Sequence, residues 1–166
     1  MNVEPGQVIC LMGKEGSGNS GILITMLEET YIKSGECQML GTYAYINLRN
    51  NFFLENSTLR ENIILDEPFV RKRYEEVLKI CDLRLSKFTG HDQVEVIENA
   101  RNFSIIEQKK IILARFLYSE RDIYLFDFYF DDIDIKKDKD HFDNVVNHFL
   151  YGKTVIYISN KEGIVS

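Results

Sequence analysis

The stretch that decides the fold is Val8-Ile-Cys-Leu-Met-Gly13-Lys-Glu-Gly-Ser-Gly-Asn-Ser-Gly21, a short apolar run followed by a glycine-rich loop. An uninterrupted apolar run that ends at glycine is typical of a buried strand in a parallel sheet. Gly13, Gly18 and Ser20 have the spacing of the phosphate-binding loop G-x-x-x-x-G-K-[ST], whose backbone amides hold phosphate oxygens. Asn19 stands where that pattern has lysine.

The same glycines also fit a second pattern, because Gly16, Gly18 and Gly21 match the dinucleotide fingerprint G-x-G-x-x-G. That pattern requires an acidic residue at the end of the next strand, about twenty residues on. Glu36 lies near this distance but opens the next predicted strand, which disfavours the dinucleotide interpretation. The phosphate loop instead requires a later apolar strand ending in aspartate, which organises Mg²⁺. Ile123–Asp127 supplies one, although an aspartate that only caps a strand remains the alternative.

Composition and charge limit the classes of protein to which the chain can belong. Its 166 residues fit one domain, and a net charge of −6 disfavours binding to nucleic acid or to an anionic membrane surface. No apolar run approaches the length of a membrane span, so we expect no direct membrane insertion. Cys10, Cys37 and Cys81 are far apart. Cys10 lies in an apolar run and Cys81 on an apolar helix face, so we interpret them as buried free thiols in a reducing, cytoplasmic compartment.

Strands alternate with helices along the chain, which predicts an α/β layered core with a mostly parallel sheet. The predicted strands are Gln7–Met12, Cys37–Leu40, Tyr43–Ile46, Ile123–Phe126 and Val155–Ile158. The predicted helices are Ser20 to about Tyr31, Leu59–Leu65, a segment around Tyr74–Cys81, Ile105–Tyr118, and a segment around Phe142–Phe149 that ends at Gly152. A mostly helical insertion, residues 52–105, separates the early strands from the late ones.

Several blocks in one order resemble the nucleotide-binding domain of ABC transporters. They are Glu4-Pro-Gly-Gln-Val8, Gly35-Glu-Cys-Gln-Met-Leu-Gly41, Thr58-Leu-Arg-Glu-Asn-Ile63, Leu113-Ala-Arg-Phe-Leu-Tyr118, Asp122-Ile-Tyr-Leu-Phe-Asp127 and Lys153-Thr-Val-Ile-Tyr-Ile-Ser-Asn160. The C subfamily, with the multidrug-resistance-associated proteins and the cystic fibrosis chloride channel, is the most similar type. The resemblance implies a P-loop NTPase-like three-layer core, with residues 1–166 as one domain truncated at both ends and residues 52–105 as its helical subdomain.

The resemblance also implies a ligand, a cation and partners. Nucleotide phosphates would lie against Gly13, Gly16, Ser17, Gly18, Asn19, Ser20 and Gly21. Mg²⁺ would be held by Ser20 and Asp127, with ATP as the nucleotide. The implied partners are a second nucleotide-binding domain and a transmembrane transporter domain, which would bring the chain to the cytoplasmic face of a membrane.

The chain departs from the family at the positions that handle the γ-phosphate, Mg²⁺ and water. Asn19 replaces the lysine, Leu48 the glutamine of the glutamine loop, Phe128 the catalytic glutamate and Asn160 the switch histidine. The Leu-Ser-Gly-Gly-Gln signature becomes Phe103-Ser104-Ile105-Ile106-Glu107, while Asp134 matches the D-loop aspartate. We therefore expect weakened nucleotide binding and assign no catalytic residue.

Three functions remain open at this point. The first is a degenerate nucleotide-binding domain with weak or vestigial ATP binding, coupled to a membrane transporter or a regulatory partner. The second is an active Mg-ATPase subunit that energises transport with substitute groups. The third is a ligand-free pseudo-ATPase that serves as a scaffold for protein contacts.

Overall fold

A sheet of four parallel strands forms the centre of the fold in the computed structural model, which describes residues 2–14, 16–48, 52–127 and 144–159. The strands are β1 (Val8–Met12), β2 (Tyr43–Ile46), β3 (Ile123–Phe126) and β4 (Thr154–Ser159). Their spatial order is β1-β4-β3-β2, so the last strand in the sequence lies between the first and the third. The parallel sheet with intervening helices confirms the predicted α/β class.

Four helices accompany the sheet within the described residues. They are α1 (Asn19–Met26), α2 (Leu59–Ile64), α3 (Arg71–Ile80) and α4 (Ile105–Tyr118). Two short 3₁₀ turns, Leu85–Lys87 and His91–Gln93, follow α3, and a π-helical segment, Asn144–Phe149, precedes β4. Helices α2 and α4 both begin with a capping box, formed by Thr58 and Glu61 and by Ser104 and Glu107. In each, the hydroxyl accepts a hydrogen bond from the backbone N–H of the glutamate, and the glutamate carboxylate accepts one from the backbone N–H of the Thr or Ser.

Two apolar clusters cover the two faces of the sheet and produce three layers. On one face, Leu23 of α1 packs with Leu125 of β3 and with Ile156 and Ile158 of β4. On the other face a larger cluster joins the sheet to α2, α3 and α4. Because Leu23 is fully buried, its truncation to alanine should cost about 2–5 kcal/mol.

Three predictions along the chain are corrected by the structure. Cys37–Leu40 forms no strand and pairs with no sheet neighbour among the described residues, and Leu40 is 78% exposed. Helix α1 ends at Met26 instead of continuing toward Tyr31, because Glu28 adopts a left-handed backbone with φ 60°. Cys10 is only partly buried because β1 lies at the edge of the described sheet, whereas Cys81 is buried as predicted.

Candidate functional site

The glycine-rich loop connects the end of β1 to the start of α1 and is anchored to the neighbouring strand. The backbone N–H of Gly13 donates to the carbonyl oxygen of Ser159 over 3.1 Å. Gly16 and Gly18 have φ values of +82° and +92°, a left-handed backbone that glycine adopts without strain. Apart from the adjacent residues in the chain, no described atom lies within 4 Å of the position that a Cβ would take on either residue, so the loop surface is open there with respect to the described residues.

The positive end of the α1 dipole is not neutralised by any side chain of its first turn. Gly18 precedes the helix and provides no side chain to cap it, and the first turn contains no acidic residue. The amides of a helix's first turn lack partners within the helix and carry partial positive charge. A helix that begins this way directly after a glycine loop favours an anion such as a phosphate group.

Asn19 extends from the first position of α1 back toward β1. Its Nδ2 donates to the carbonyl oxygen of Leu11 over 3.3 Å. The same nitrogen would lie 2.8 Å from a Cβ on Gly13, and Ser17 Oγ would lie 2.4 Å from it, so any side chain at position 13 would displace both Asn19 and Ser17. Asn19 therefore buttresses the loop from the strand side and brings no positive charge to it.

Asp127 lies at the carboxyl end of β3 and accepts three hydrogen bonds through its side chain. Its Oδ1 accepts from Ser20 Oγ over 2.6 Å, and its Oδ2 accepts from Tyr45 Oη over 2.5 Å and from Asn47 Nδ2 over 2.9 Å. The residue is only 5% exposed. The structure thus brings together Ser20 and Asp127, the two residues that the sequence pairs as cation ligands, although they are far apart in the chain.

Tyr45 and Asn47 are two residues of this site that the sequence did not indicate. Alternate residues of a strand share a face, and the parallel pairing of Ile46 with Phe126 brings the end of β2 beside Asp127. Burial, followed by the hydrogen bond to Asp127, raises the pKa of Tyr45 to about 12, so its hydroxyl stays protonated and donates at neutral pH. One signal in the sequence could have indicated Asn47, because it carries a carboxamide next to position 48, where the family has the glutamine of the glutamine loop.

The hard oxygen donors at this site match the ligand chemistry of Mg²⁺. The Ser20 hydroxyl donates a hydrogen bond to Asp127 and keeps oxygen lone pairs that a cation can use. Mg²⁺ prefers carboxylate and hydroxyl oxygens and in nucleotide sites is shared with substrate phosphates. Ser20 and Asp127 therefore fit the cation that the sequence implies.

Leu48 and the segment 103–107, which the sequence also singled out, are not among the hydrogen-bond partners of Asp127 described above. Leu48 is buried within the larger apolar cluster, so it does not take the place of a polar group beside Asp127. At the start of α4, Glu107 Oε2 accepts from the N–H and the hydroxyl of Ser104 over 2.9 and 2.7 Å. Ile105 and Ile106 are exposed there, at 72% and 41%. The amino end of α4 is thus neutralised by its own carboxylate, in contrast to the open end of α1.

Phe128, Asp134 and Asn160 lie outside the described residues.

A cleft of about 610 Å³ lies beside the site, between β2 and helices α2 and α4. Tyr45 and Asn47 line it on one side and Arg115 on the other. Arg115 donates to the carbonyl oxygens of Asn62 and Phe52 over 2.7 and 2.9 Å, and its guanidinium lies 4.5 Å from the centre of the Phe52 ring. Burial lowers the pKa of Arg115 to about 10, so it remains charged at neutral pH and ties α4 to α2.

Within the described ranges, no helix is both long enough and apolar enough to cross a bilayer.

Comparison with known proteins gives a consistent result. A family model described as "ABC transporter" matches residues 1–128. The chain is 32% identical over 164 residues to "ATP-binding cassette sub-family C member 2" of Rattus norvegicus and 33% identical over 161 residues to "ABC transporter C family member 3" of Arabidopsis thaliana. It is 31% identical over 164 residues to "Probable multidrug resistance-associated protein lethal(2)03659" of Drosophila melanogaster. These alignments cover 96%, 96% and 98% of this chain and 10%, 10% and 12% of the relatives, so the chain spans about a tenth of their length.

Proposed function

The chain belongs to the ABC transporter family, with C-subfamily proteins among its relatives, and on that basis we propose that it is a degenerate nucleotide-binding domain that holds ATP weakly. The phosphates lie against the Gly13–Gly21 loop, and Mg²⁺ is held by Ser20 and Asp127. The observation that carries this proposal is the conjunction of an uncapped α1 with the 2.6 Å hydrogen bond from Ser20 to Asp127. When bound, Mg²⁺ would neutralise phosphate charge beside these two residues.

Weak binding follows from the side chain at position 19. A lysine would make a charge-assisted contact with phosphate, of a kind worth about 1.5–3 kcal/mol. Its loss corresponds to one to two decades in affinity at about 1.4 kcal/mol per decade. The backbone amides of the loop and the partial positive charge of α1 remain, which supports residual binding.

Hydrolysis is disfavoured by the residues present, and we assign no catalytic residue. A positioned carboxylate base typically contributes about 10²–10⁴-fold to such a reaction, and the phenylalanine at position 128 cannot accept a proton. The leucine at position 48 is buried in the core and has no group that could orient water. An active Mg-ATPase is therefore only the second candidate, and it would have to be established by a measured rate of ATP turnover.

The domain acts beside partners in this proposal. The family implies a second nucleotide-binding domain and a transmembrane transporter domain, and we place the chain at the cytoplasmic face of a membrane through such a partner. Residues 52–105, which contain α2 and α3, serve as the helical subdomain of the single domain 1–166.

Calorimetric titration of MgATP tests the proposal when two glycine substitutions are compared. Gly18 and Gly35 both have a left-handed backbone, with φ values of +92° and +94°, and both have open space where a Cβ would be. Alanine at either position carries the same backbone strain, but only Gly18→Ala distorts the phosphate loop. We expect wild type and Gly35→Ala to bind MgATP and Gly18→Ala to lose that binding.

The alternatives give different results in the same experiment. Absence of heat from MgATP, MgADP and MgGTP with the wild type would favour the ligand-free scaffold. Phosphate release from ATP that exceeds the rate of an Asp127→Ala variant would favour the active ATPase.

A further inference from the structure

We propose that Tyr45 and Asn47 are positioning residues for Asp127, which fix its Oδ2 from the β2 side so that Oδ1 stays directed toward Ser20 and the bound cation. The proposal is based on the way in which the two carboxylate oxygens of Asp127 take their hydrogen bonds from different parts of the fold. Both donors from β2 bind Oδ2, at 2.5 and 2.9 Å, and the donor from α1 binds Oδ1, at 2.6 Å. The proposal rests on the nucleotide-binding function proposed above and extends it.

A carboxylate held this way cannot rotate freely about its Cβ–Cγ bond. If Oδ2 lost both partners, either oxygen could turn toward Ser20, and the orientation required of a cation ligand would have to be imposed at each binding event. Hydrogen bonds from outer groups to ligating carboxylates orient the ligand, and their removal typically lowers metal affinity by about 10–100-fold. The near-complete burial of Asp127 strengthens such bonds, since water competes little for its oxygens.

Asn47 contributes a carboxamide to this arrangement from the position that precedes Leu48. The resemblance places a glutamine at position 48, but Leu48 is turned into the apolar cluster. The preceding residue instead carries a carboxamide, and its Nδ2 lies 2.9 Å from Asp127 Oδ2 and 3.5 Å from Tyr45 Oη. An amide therefore reaches the site from the adjacent position, and it acts through Asp127.

The cation dependence of ADP binding tests this role without relying on turnover. The dissociation constant for ADP is measured by calorimetry in excess MgCl₂ and in EDTA for wild type, Tyr45→Phe and Asn47→Leu. Tyr43→Phe is the matched control, because Tyr43 lies in β2 but pairs with Ile123, far from Asp127 in the sheet. The ratio of the EDTA value to the MgCl₂ value should fall about tenfold or more in the first two variants and should not change in the control. The value in EDTA should not change in any of them.

The outcomes separate this inference from the function on which it rests. A lowered melting temperature with an unchanged ratio in Tyr45→Phe and Asn47→Leu would show a purely structural role and overturn the inference. Equal ADP affinity of the wild type with and without Mg²⁺ would overturn it together with the proposed Mg²⁺ site, while leaving nucleotide binding itself intact. If the wild type binds no ADP in either condition, the proposed function fails and the inference fails with it. Should one variant not fold, the other gives the same comparison.

Discussion

Substitution of lysine for Asn19 should restore tight nucleotide binding if the rest of the loop is intact. The bond that is lost is weak, because the 3.3 Å separation between Asn19 Nδ2 and the carbonyl oxygen of Leu11 exceeds the usual N–H···O range. The group that is gained is an ammonium at the position from which the phosphate-loop lysine reaches the β- and γ-phosphates. A charge-assisted bond worth about 1.5–3 kcal/mol should tighten MgATP binding by one to two decades.

Thermal unfolding in the presence of MgATP measures this gain directly. With MgATP at the wild-type dissociation constant, mass action stabilises the wild type by only about 0.4 kcal/mol. A variant that binds about 30-fold more tightly gains about 2.0 kcal/mol at the same concentration. For a chain of this size the difference of about 1.6 kcal/mol corresponds to a melting temperature about 3–6 °C higher.

Asn19→Met is the matched control, because methionine approaches the length of lysine but carries no charge. It should show no gain over the wild type with MgATP. Equal ligand-dependent stabilisation of Asn19→Met and Asn19→Lys would refute the electrostatic reasoning. Absence of any MgATP-dependent shift in Asn19→Lys would show that the loop no longer forms a phosphate site.

Three further predictions concern stability and reactivity. Arg115→Met should lower the free energy of unfolding by about 2–3 kcal/mol, because the carbonyl oxygen of the buried Asn62 loses a charged donor. Arg71→Met, which removes an exposed ion pair, should cost less than about 1 kcal/mol in urea denaturation, and equal effects would contradict the tie between α4 and α2. Burial raises the pKa of the Cys81 thiol, so this thiol should react with a thiol reagent only after unfolding, while the partly exposed thiols of Cys10 and Cys37 react in the native state. Reaction of three thiols in the native state would contradict this. Hydrogen bonds from the backbone N–H and the hydroxyl of Thr58 lower the pKa of Glu61, so this cap of α2 stabilises the fold fully above the ordinary carboxyl pKa and is lost as pH falls through the lowered value. An NMR titration should show a higher Glu61 pKa in Thr58→Ala, and an unchanged pKa would exclude the cap.

The sequence predicted the elements whose signals are local. Helix α4 has the predicted bounds, Ile105–Tyr118, because Ser104 and Glu107 mark its start and an apolar face with helical period continues to its end. The segment Cys37–Leu40 was wrongly predicted as a strand, since a short segment becomes a strand only where a neighbouring strand is available for pairing. Local pattern gives no information about that neighbour.

The candidate site was predictable only in part for the same reason. The glycine loop and the strand ending in Asp127 have patterns of their own, so Ser20 and Asp127 could be paired in advance. The contacts of Tyr45 and Asn47 depend on the register between β2 and β3, which are separated in the sequence by residues 47–122. The pattern of residues within one segment does not reveal how two distant strands pair, and Tyr45 and Asn47 were therefore missed.

The strand order has a consequence for the time at which the loop can take shape during synthesis. β1 is made well before β4, its neighbour in the described sheet, and Gly13 is anchored to Ser159. Pairing across such a large sequence separation is slow, because chain entropy is lost before the contacts form. The first strand must therefore wait for residues 154–159 to leave the ribosome, and a nascent chain that stops short of them would present β1 as an unpaired edge open to chaperones or to aggregation.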